Sequence, residues 1–417
     1  MKHRFLHNII RCLFLLPALL SVSCSREAAE DPDVPSGGEA TLNIGFKIPA
    51  RAAAEGYEDG DADESHIDIA GGNYRIYFFD TDNKFIAGFA PYGFITADGS
   101  DYRQYNVLGK APDALVSHST FKMVVLANWP KYPEDSGANL TLKEGETTIA
   151  EICDAAWAQY GCLTDGNETN PTAAALDPAA GRLMPFYGVH QYSNVTFKQG
   201  EAAILPEPVT LLRAMAKVEV ILQTDGESDL SFSSLKINRY NAKGYCAPKD
   251  VFHQDSYDHN GNWENDYAPQ GLHLVGDQND GEAKELSFRR VRQWDEGGKR
   301  YEKWTAYLPE YRNVEVGDNY SSIKAKFNIQ LADDDSHTIY FAQYDGGKTD
   351  NSYANRLNIE RNNIYRFQVT CTRYDFKLLL TVSDWQGLYE NTFDFGGGQI
   401  VSPVSPWEDE KDNDVEF

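Results

Sequence analysis

The chain has 417 residues, enough for two or three domains with apolar cores. Its 63 acidic and 38 basic side chains give a formal charge of −25. So acidic a surface repels phosphate backbones and anionic headgroups, and no basic stripe stands out in the sequence, which excludes nucleic-acid binding.

Lys2, Arg4 and Arg11 precede the apolar run CLFLLPALL and then SVSC. A charged start, a short apolar stretch and small residues predict a secretory signal over 1–23, with an apolar part too short to span a bilayer. LSVSC resembles a lipobox, which implies that Cys24 becomes the lipidated first residue of the exported chain. The alternative is an ordinary signal cleaved near Ser23. Several acyl chains hold a protein on a membrane where one chain binds marginally. Without residues 1–23, which carry three basic and no acidic side chains, the formal charge is −28. Residues 24–39 are polar and rich in Pro, Gly and acid, and read as a flexible linker.

A two-faced strand follows. Ala40, Leu42, Ile44, Phe46 and Ile48 alternate with Thr41, Asn43, Gly45 and Lys47, the period of a half-buried strand. After Arg51 come small residues and the acidic run Asp59 to Glu64; roughly 50–66 reads as disordered. DGDADE lacks the sixth-position glycine and the distal glutamate of an EF-hand, so a solvated acidic linker is expected there.

Strands then dominate. YRIYFFDTDNKFIAGFA predicts a hairpin, with Arg75 protected inside its first strand and DTDNK at the turn. FKMVVLANWP predicts a central strand covered on both faces. Residues 141–165 are the one helical patch, and RLMPFYGV is a short strand or turn. PVTLLRAMAKVEVILQ reads as one long strand, followed by SFSSLKINRYNAKGYC. Residues 250–300 read as loops. KWTAYLPEY, SSIKAKFNIQLA, HTIYFAQY, NIYRFQVTCTRY and FKLLLTVSDW complete the strands. The pattern predicts an all-β chain. Its length asks for two β-sandwiches, 40–205 and 206–417, joined at the proline-containing stretch KQGEAAILPEPVT.

No nucleophile elbow, zinc-protease helix or phosphate loop is present. The reading is therefore not an enzyme, with no catalytic residue, metal ligand or cofactor. Cys153 and Cys162 either pair or remain buried thiols, and no cysteine spacing suits zinc. Trp129, Trp157, Trp263, Trp304, Trp385 and Trp407 either stack on sugars or pack in cores.

Several of these stretches together resemble the fimbrillins, the major fimbrial subunit family of type V pili in Gram-negative anaerobes. They are ATLNIGFKIPARAAAEGYEDGDADES, RIYFFDTDNKFI, FKMVVLANWP, LMPFYGV, LLRAMAKVEV, AYLPE and NIERNNIYRFQV, covering most of 40 to 385. LMPFYGV departs from the family pattern in placing its methionine before Pro185. The resemblance implies two transthyretin-like β-sandwich domains in tandem. It implies export as a lipoprotein, then a cut by an arginine-specific protease between Arg51 and Ala52. The strand bearing Leu42, Ile44, Phe46 and Ile48 would leave, and a tail from another subunit would refill its groove. Donor anchors would be Phe393, Phe395, Ile400, Val404 and Trp407, hinged at Gly396–Gly398. The closing DNDVEF is a second donor candidate, and the alternative is a tail packed on its own domain. Implied partners are other pilus subunits (accessory tip and anchor proteins included), the protease, the outer membrane through lipid, and host or bacterial surface ligands. The implied location is the cell outer membrane, then the extracellular fimbrium. Competing readings are an anchor or tip adhesin of the same pilus, and a glycan-binding surface lipoprotein.

Overall fold

The computed structural model describes residues 39–49, 63–98, 102–135, 141–153, 158–165, 170–225, 231–247, 284–311, 326–331, 336–341, 359–371, 376–384 and 415–416. The first half contains β1 (Thr41–Pro49), β2 (Tyr74–Phe79), β3 (Phe85–Gly88), β4 (Pro91–Asp98), β5 (Tyr102–Lys110), α1 (Asp113–Val116), β6 (Phe121–Ala127), α2 (Ile149–Cys153), β7 (Gln159–Gly161), β8 (Thr164–Asp165), β9 (Thr172–Ala173), β10 (Phe186–Tyr192) and β11 (Ala202–Ile204). The second contains β12 (Val209–Thr210), β13 (Leu212–Arg213), β14 (Met215–Asp225), β15 (Phe232–Ile237), β16 (Lys243–Tyr245), β17 (Leu286–Ser287), β18 (Arg289–Glu296), β19 (Lys299–Pro309), β20 (Lys326–Leu331), β21 (Ser336–Tyr340), β22 (Asn363–Cys371), β23 (Phe376–Asp384) and β24 (Val415–Glu416). The protein is all-β.

A first core lies between two sheets. One runs β11-β1-β5-β4, with β12 also pairing β1; the other runs β13-β10-β6-β2-β3. Every residue of β6 is buried, because β10 and β2 flank it and both of its faces are covered. The DTDNK turn closes β2 onto β3. Asp80 Oδ1 accepts from the Asp82 and Lys84 amides at 2.9 and 2.8 Å, an Asx turn that spends the carboxylate on backbone. Of the expected helical patch, α2 alone forms among the described residues. Thr148 and Glu151 cap it reciprocally, Thr148 Oγ1 accepting from the Glu151 amide (3.2 Å) and Glu151 Oε2 from the Thr148 amide (2.7 Å).

The second core lies between β18-β19-β14-β22-β23-β24 and β21-β20-β15-β17-β9-β8. β14 runs antiparallel to β19 over eleven residues and parallel to β22. Met215 belongs to the first apolar cluster and Ala216 to the second.

Two expectations change. The apolar run at 209–225 is three strands: β12 adds to β1, β13 to β10 and β14 to the second core. It looks continuous in sequence because each piece is buried, although in different sheets. Part of the expected loop at 250–300 is the hairpin β18–β19, closed by Gly297 and Gly298 at φ 59° and 76°. Two consecutive left-handed residues make the hairpin turn that glycine enters without strain.

Candidate functional site

β1 sits inside its sheet. It pairs antiparallel with β5 along its whole length, from Thr41↔Lys110 to Pro49↔Tyr102. On its other side it runs parallel to β11 and then to β12. The Leu205 and Leu211 amides donate to the Asn43 and Lys47 carbonyls at 3.1 and 2.8 Å. Leu42, Ile44, Phe46 and Ile48 all point into the first core, none more than 1% exposed. Thr41, Asn43, Gly45 and Lys47 are half-buried on the other face. A side chain at Gly45 would meet Pro208 Cβ at 3.2 Å, so the outer face is also closely approached. Period-2 alternation in the sequence therefore becomes a strand with partners on both edges.

The chain on the far side of Arg51 is anchored as well. The Phe46 ring stacks on Tyr105 of β5, with centroids 5.4 Å apart and planes 20° from parallel. The Tyr105 hydroxyl donates to the Ser65 carbonyl (3.1 Å) and accepts from the Ile67 amide (3.0 Å). Next to it, Asp63–Ser65 forms a 3-10 turn. Glu64 is 2% exposed, which overturns the expected solvated linker at that residue. Its carbonyl accepts from Arg213 Nε at 3.0 Å, and its carboxylate accepts from the Tyr307 hydroxyl at 2.6 Å.

Glu64 also opens a buried ionic cluster. Lys217 Nζ lies 2.7 Å from Glu64 and 3.1 Å from Glu219, while Lys303 and Arg366 approach Glu219 at 2.8 and 2.6 Å. Burial by itself raises the Glu219 carboxyl; Lys217, Arg366 and Lys303 outweigh it and hold the group below the usual carboxylate range. Burial opposes the charged form of Lys217, and Glu64 and Glu219 outweigh that and hold the ammonium well above its ordinary value. Nothing in the sequence pairs these residues, since Glu64 and Tyr307 stand 243 positions apart. Lys217 and Glu219, inside an otherwise apolar stretch, were the available signal, whereas Glu64 ends an acidic run and gave none.

Tyr105→Phe is expected to destabilise the protein by about 1–3 kcal/mol, because it leaves the buried Ile67 amide and Ser65 carbonyl without that hydroxyl. Faster amide exchange confined to 63–67 and its neighbours would accompany the loss. Unchanged exchange there would show that the hydroxyl does not hold the segment.

The remaining sites fall as follows. Cys24, Arg51 and Ala52 lie outside the described residues, as do Phe393, Phe395, Ile400, Val404 and Trp407. Within DNDVEF, Val415–Glu416 forms β24 on the edge strand β23 of its own chain. Cys153 and Cys162 are both free thiols. Trp129 is a core residue whose Nε1 donates to the Phe186 carbonyl at 2.8 Å. A polar cavity of about 540 Å³ is lined in part by Arg75, Lys131, Tyr132 and Arg182. Its arginines are already engaged, Arg75 with Glu134 and Asp135, and Arg182 with Asp165 and Asp177. Among the described residues no group of three or more His, Cys, Asp or Glu is placed to hold a metal.

The fold and β1 thus define a class: a two-core all-β protein whose first core is completed by its own opening strand. Solved structures similar to the chain include the tip fimbrial protein Mfa3 from Porphyromonas gingivalis, at 15% identity and TM-score 0.45, covering 82% of this chain and 100% of that one. A fimbrial assembly protein from Parabacteroides distasonis is similar at 13% identity and TM-score 0.41, over 83% and 99% of the two chains. The fimbrial anchor protein Mfa2 from Porphyromonas gingivalis is similar at 8% identity and TM-score 0.30, over 83% and 98%. No protein-family model and no curated protein matches the chain.

Proposed function

We propose that this chain is a structural subunit of a surface fimbria, exported as a lipoprotein on Cys24 and kept inactive by its own first strand. A cut between Arg51 and Ala52 by an arginine-specific protease then frees β1. A segment of another copy, anchored by Phe393, Phe395, Ile400, Val404 and Trp407, takes its place. In this reading the two cores are tandem transthyretin-like domains, and the role is non-catalytic. The polymer would leave the outer membrane as an extracellular fimbrium that carries accessory tip and anchor subunits and meets host or bacterial surfaces.

One observation carries the reading: β1 is hydrogen-bonded on both edges and buries four apolar side chains, yet it is joined to the rest through the stretch containing Arg51. Those side chains contribute about 1.5–3 kcal/mol each. Removing them opens an apolar trench and an unpaired strand edge, which a strand from a neighbour can refill. Because trench and donor are different surfaces, the contact is heterologous and propagates into a filament.

Treating the purified full chain with an arginine-specific protease tests this. The expected result is a new N-terminus at Ala52, followed by ladders that survive detergent on a gel. Arg51→Ala is expected to stay uncut there and to remain monomeric under the same treatment. An Arg51→Ala protein that forms the same ladders would overturn the scheme.

A further inference from the structure

Residues 64–68 belong to no strand, so no ladder pairs their backbone groups. Side chains from other elements pair them instead. Arg213 Nε of β13 donates to the Glu64 carbonyl at 3.0 Å. The Tyr105 hydroxyl of β5 serves the Ser65 carbonyl and the Ile67 amide. Asn128 serves the two residues between and beyond: its Nδ2 donates to the His66 carbonyl at 2.7 Å, and its Oδ1 accepts from the Asp68 amide at 3.1 Å. Asn128 follows β6 directly, at φ 57°, a left-handed backbone that asparagine tolerates. Every residue from Glu64 to Asp68 is thus tied through a main-chain group, and the Glu64 carboxylate adds Lys217 and Tyr307 of the second core.

The order of arginines gives these ties a consequence. Residues 52–74 contain neither arginine nor lysine, so Arg75 is the next bond an arginine-specific protease could take after Arg51. Arg75 is only the second residue of β2. Opening the pairs Tyr74↔Ala127 and Arg75↔Leu126 from the strand's leading end would bare it. Its guanidinium is held there, donating to the Gly72 and Tyr74 carbonyls at 3.1 and 2.7 Å and lying 4.2 Å from the Tyr132 ring.

A cut after Arg51 leaves the chain before β2 attached at one end only, and free ends are where fraying and proteolysis begin. The ties at 64–68 stand between that end and Arg75. Tyr105 is shared with β1 through Phe46, but β13 and β6, which carry or precede Arg213 and Asn128, belong to the opposite sheet. Those ties remain when β1 departs. A second cut after Arg75 would also remove Glu64 and leave Lys217, Lys303 and Arg366 around Glu219 alone.

We propose that 64–68 is a clamp that ends processing at Arg51. Glu64, Tyr105, Asn128 and Arg213 are its positioning residues, and by keeping Arg75 out of the protease they set the mature N-terminus at Ala52. The inference rests on the proposed cut after Arg51 and adds what stops the protease there.

The test digests the full chain with an arginine-specific protease and follows the products by intact mass. Wild type is expected to give a chain starting at Ala52 and to persist in that form. Glu64→Gln and Tyr105→Phe are expected to give the same first product, then one starting at Ile76 about tenfold faster than wild type, because each loosens a buried tie. Adding Arg75→Lys to Glu64→Gln should restore the stop at Ala52, which no general loss of stability would allow. Variants that stop at Ala52 as wild type does overturn the clamp and leave the fimbrial reading standing. Cuts after Arg213 and Arg366 at the same rate as after Arg75 mean global unfolding and also overturn it. If wild type is never cut after Arg51 while Glu64→Gln is cut after Arg75, the fimbrial reading fails and the clamp stands.

Discussion

Phe46→Asp is expected to unfold the first core. Phe46 is fully buried and stacks on Tyr105. Phe46→Ala alone should cost about 3–5 kcal/mol by loss of the ring and creation of a cavity. Aspartate adds a carboxylate to an apolar core, and the total reaches most of a typical folding free energy of about 5–15 kcal/mol. Hydrogen exchange gives the clearest measurement. Amides of β5, which borders β1 for nine residues, should lose protection, while β14 beside β22 keeps it. A drop of under about 1 kcal/mol for Phe46→Ala in urea unfolding would mean that β1 is not integral to the core. Detachment by proteolysis would then have little to expose. The outcome therefore also bears on the proposed assembly: the more the strand contributes in place, the stronger the demand for a replacement once it has gone.

Glu219→Gln is expected to have a comparable effect on the second core. Lys217, Lys303 and Arg366 converge on this carboxylate. Removing one partner of a buried ionic cluster costs about 3–5 kcal/mol, because the cations stay buried with less compensation. The pH dependence distinguishes this from a packing defect. The Glu219 carboxyl titrates lower in the folded than in the unfolded chain. Its stabilising contribution is then fully present above the unfolded value of about 4.3 and is lost as pH falls through the folded value. Wild type should accordingly lose stability on acidification over that window. Glu219→Gln, which cannot titrate there, should start lower and change less, so that the gap between the two narrows toward acid. A gap that stays constant with pH would assign the loss to packing. Lys217, whose folded value is raised, contributes with the opposite sense: its share is present below the ordinary lysine value of about 10.4 and is lost as pH climbs past the folded one.

Much of the first core was legible in advance. Leu42, Ile44, Phe46 and Ile48 announce an inward face by alternation, and the unbroken run Phe121–Ala127 announces a strand with no solvent side. Asp80 and Asn83 mark the hairpin turn. Each of these signals is local, because a strand's face or a turn's backbone is settled within a few residues. The hairpin at β18 was missed because an edge strand buries little and carries charge on most positions, so its alternation is weak. The Gly297–Gly298 pair was the usable clue.

Taken alone, the order of side chains determined the all-β class, the two-faced opening strand and the basic residue just beyond it. These follow from period and composition, which need no partner. The tertiary structure decided what lies beside what: that β1 has neighbours on both edges, that one apolar run at 209–225 divides among separate sheets, and that Glu64 is buried against Lys217 and Tyr307. The physical reason is that strand pairing and ion pairing join residues that stand from tens to more than two hundred positions apart, and neither contact leaves a periodic trace in the chain.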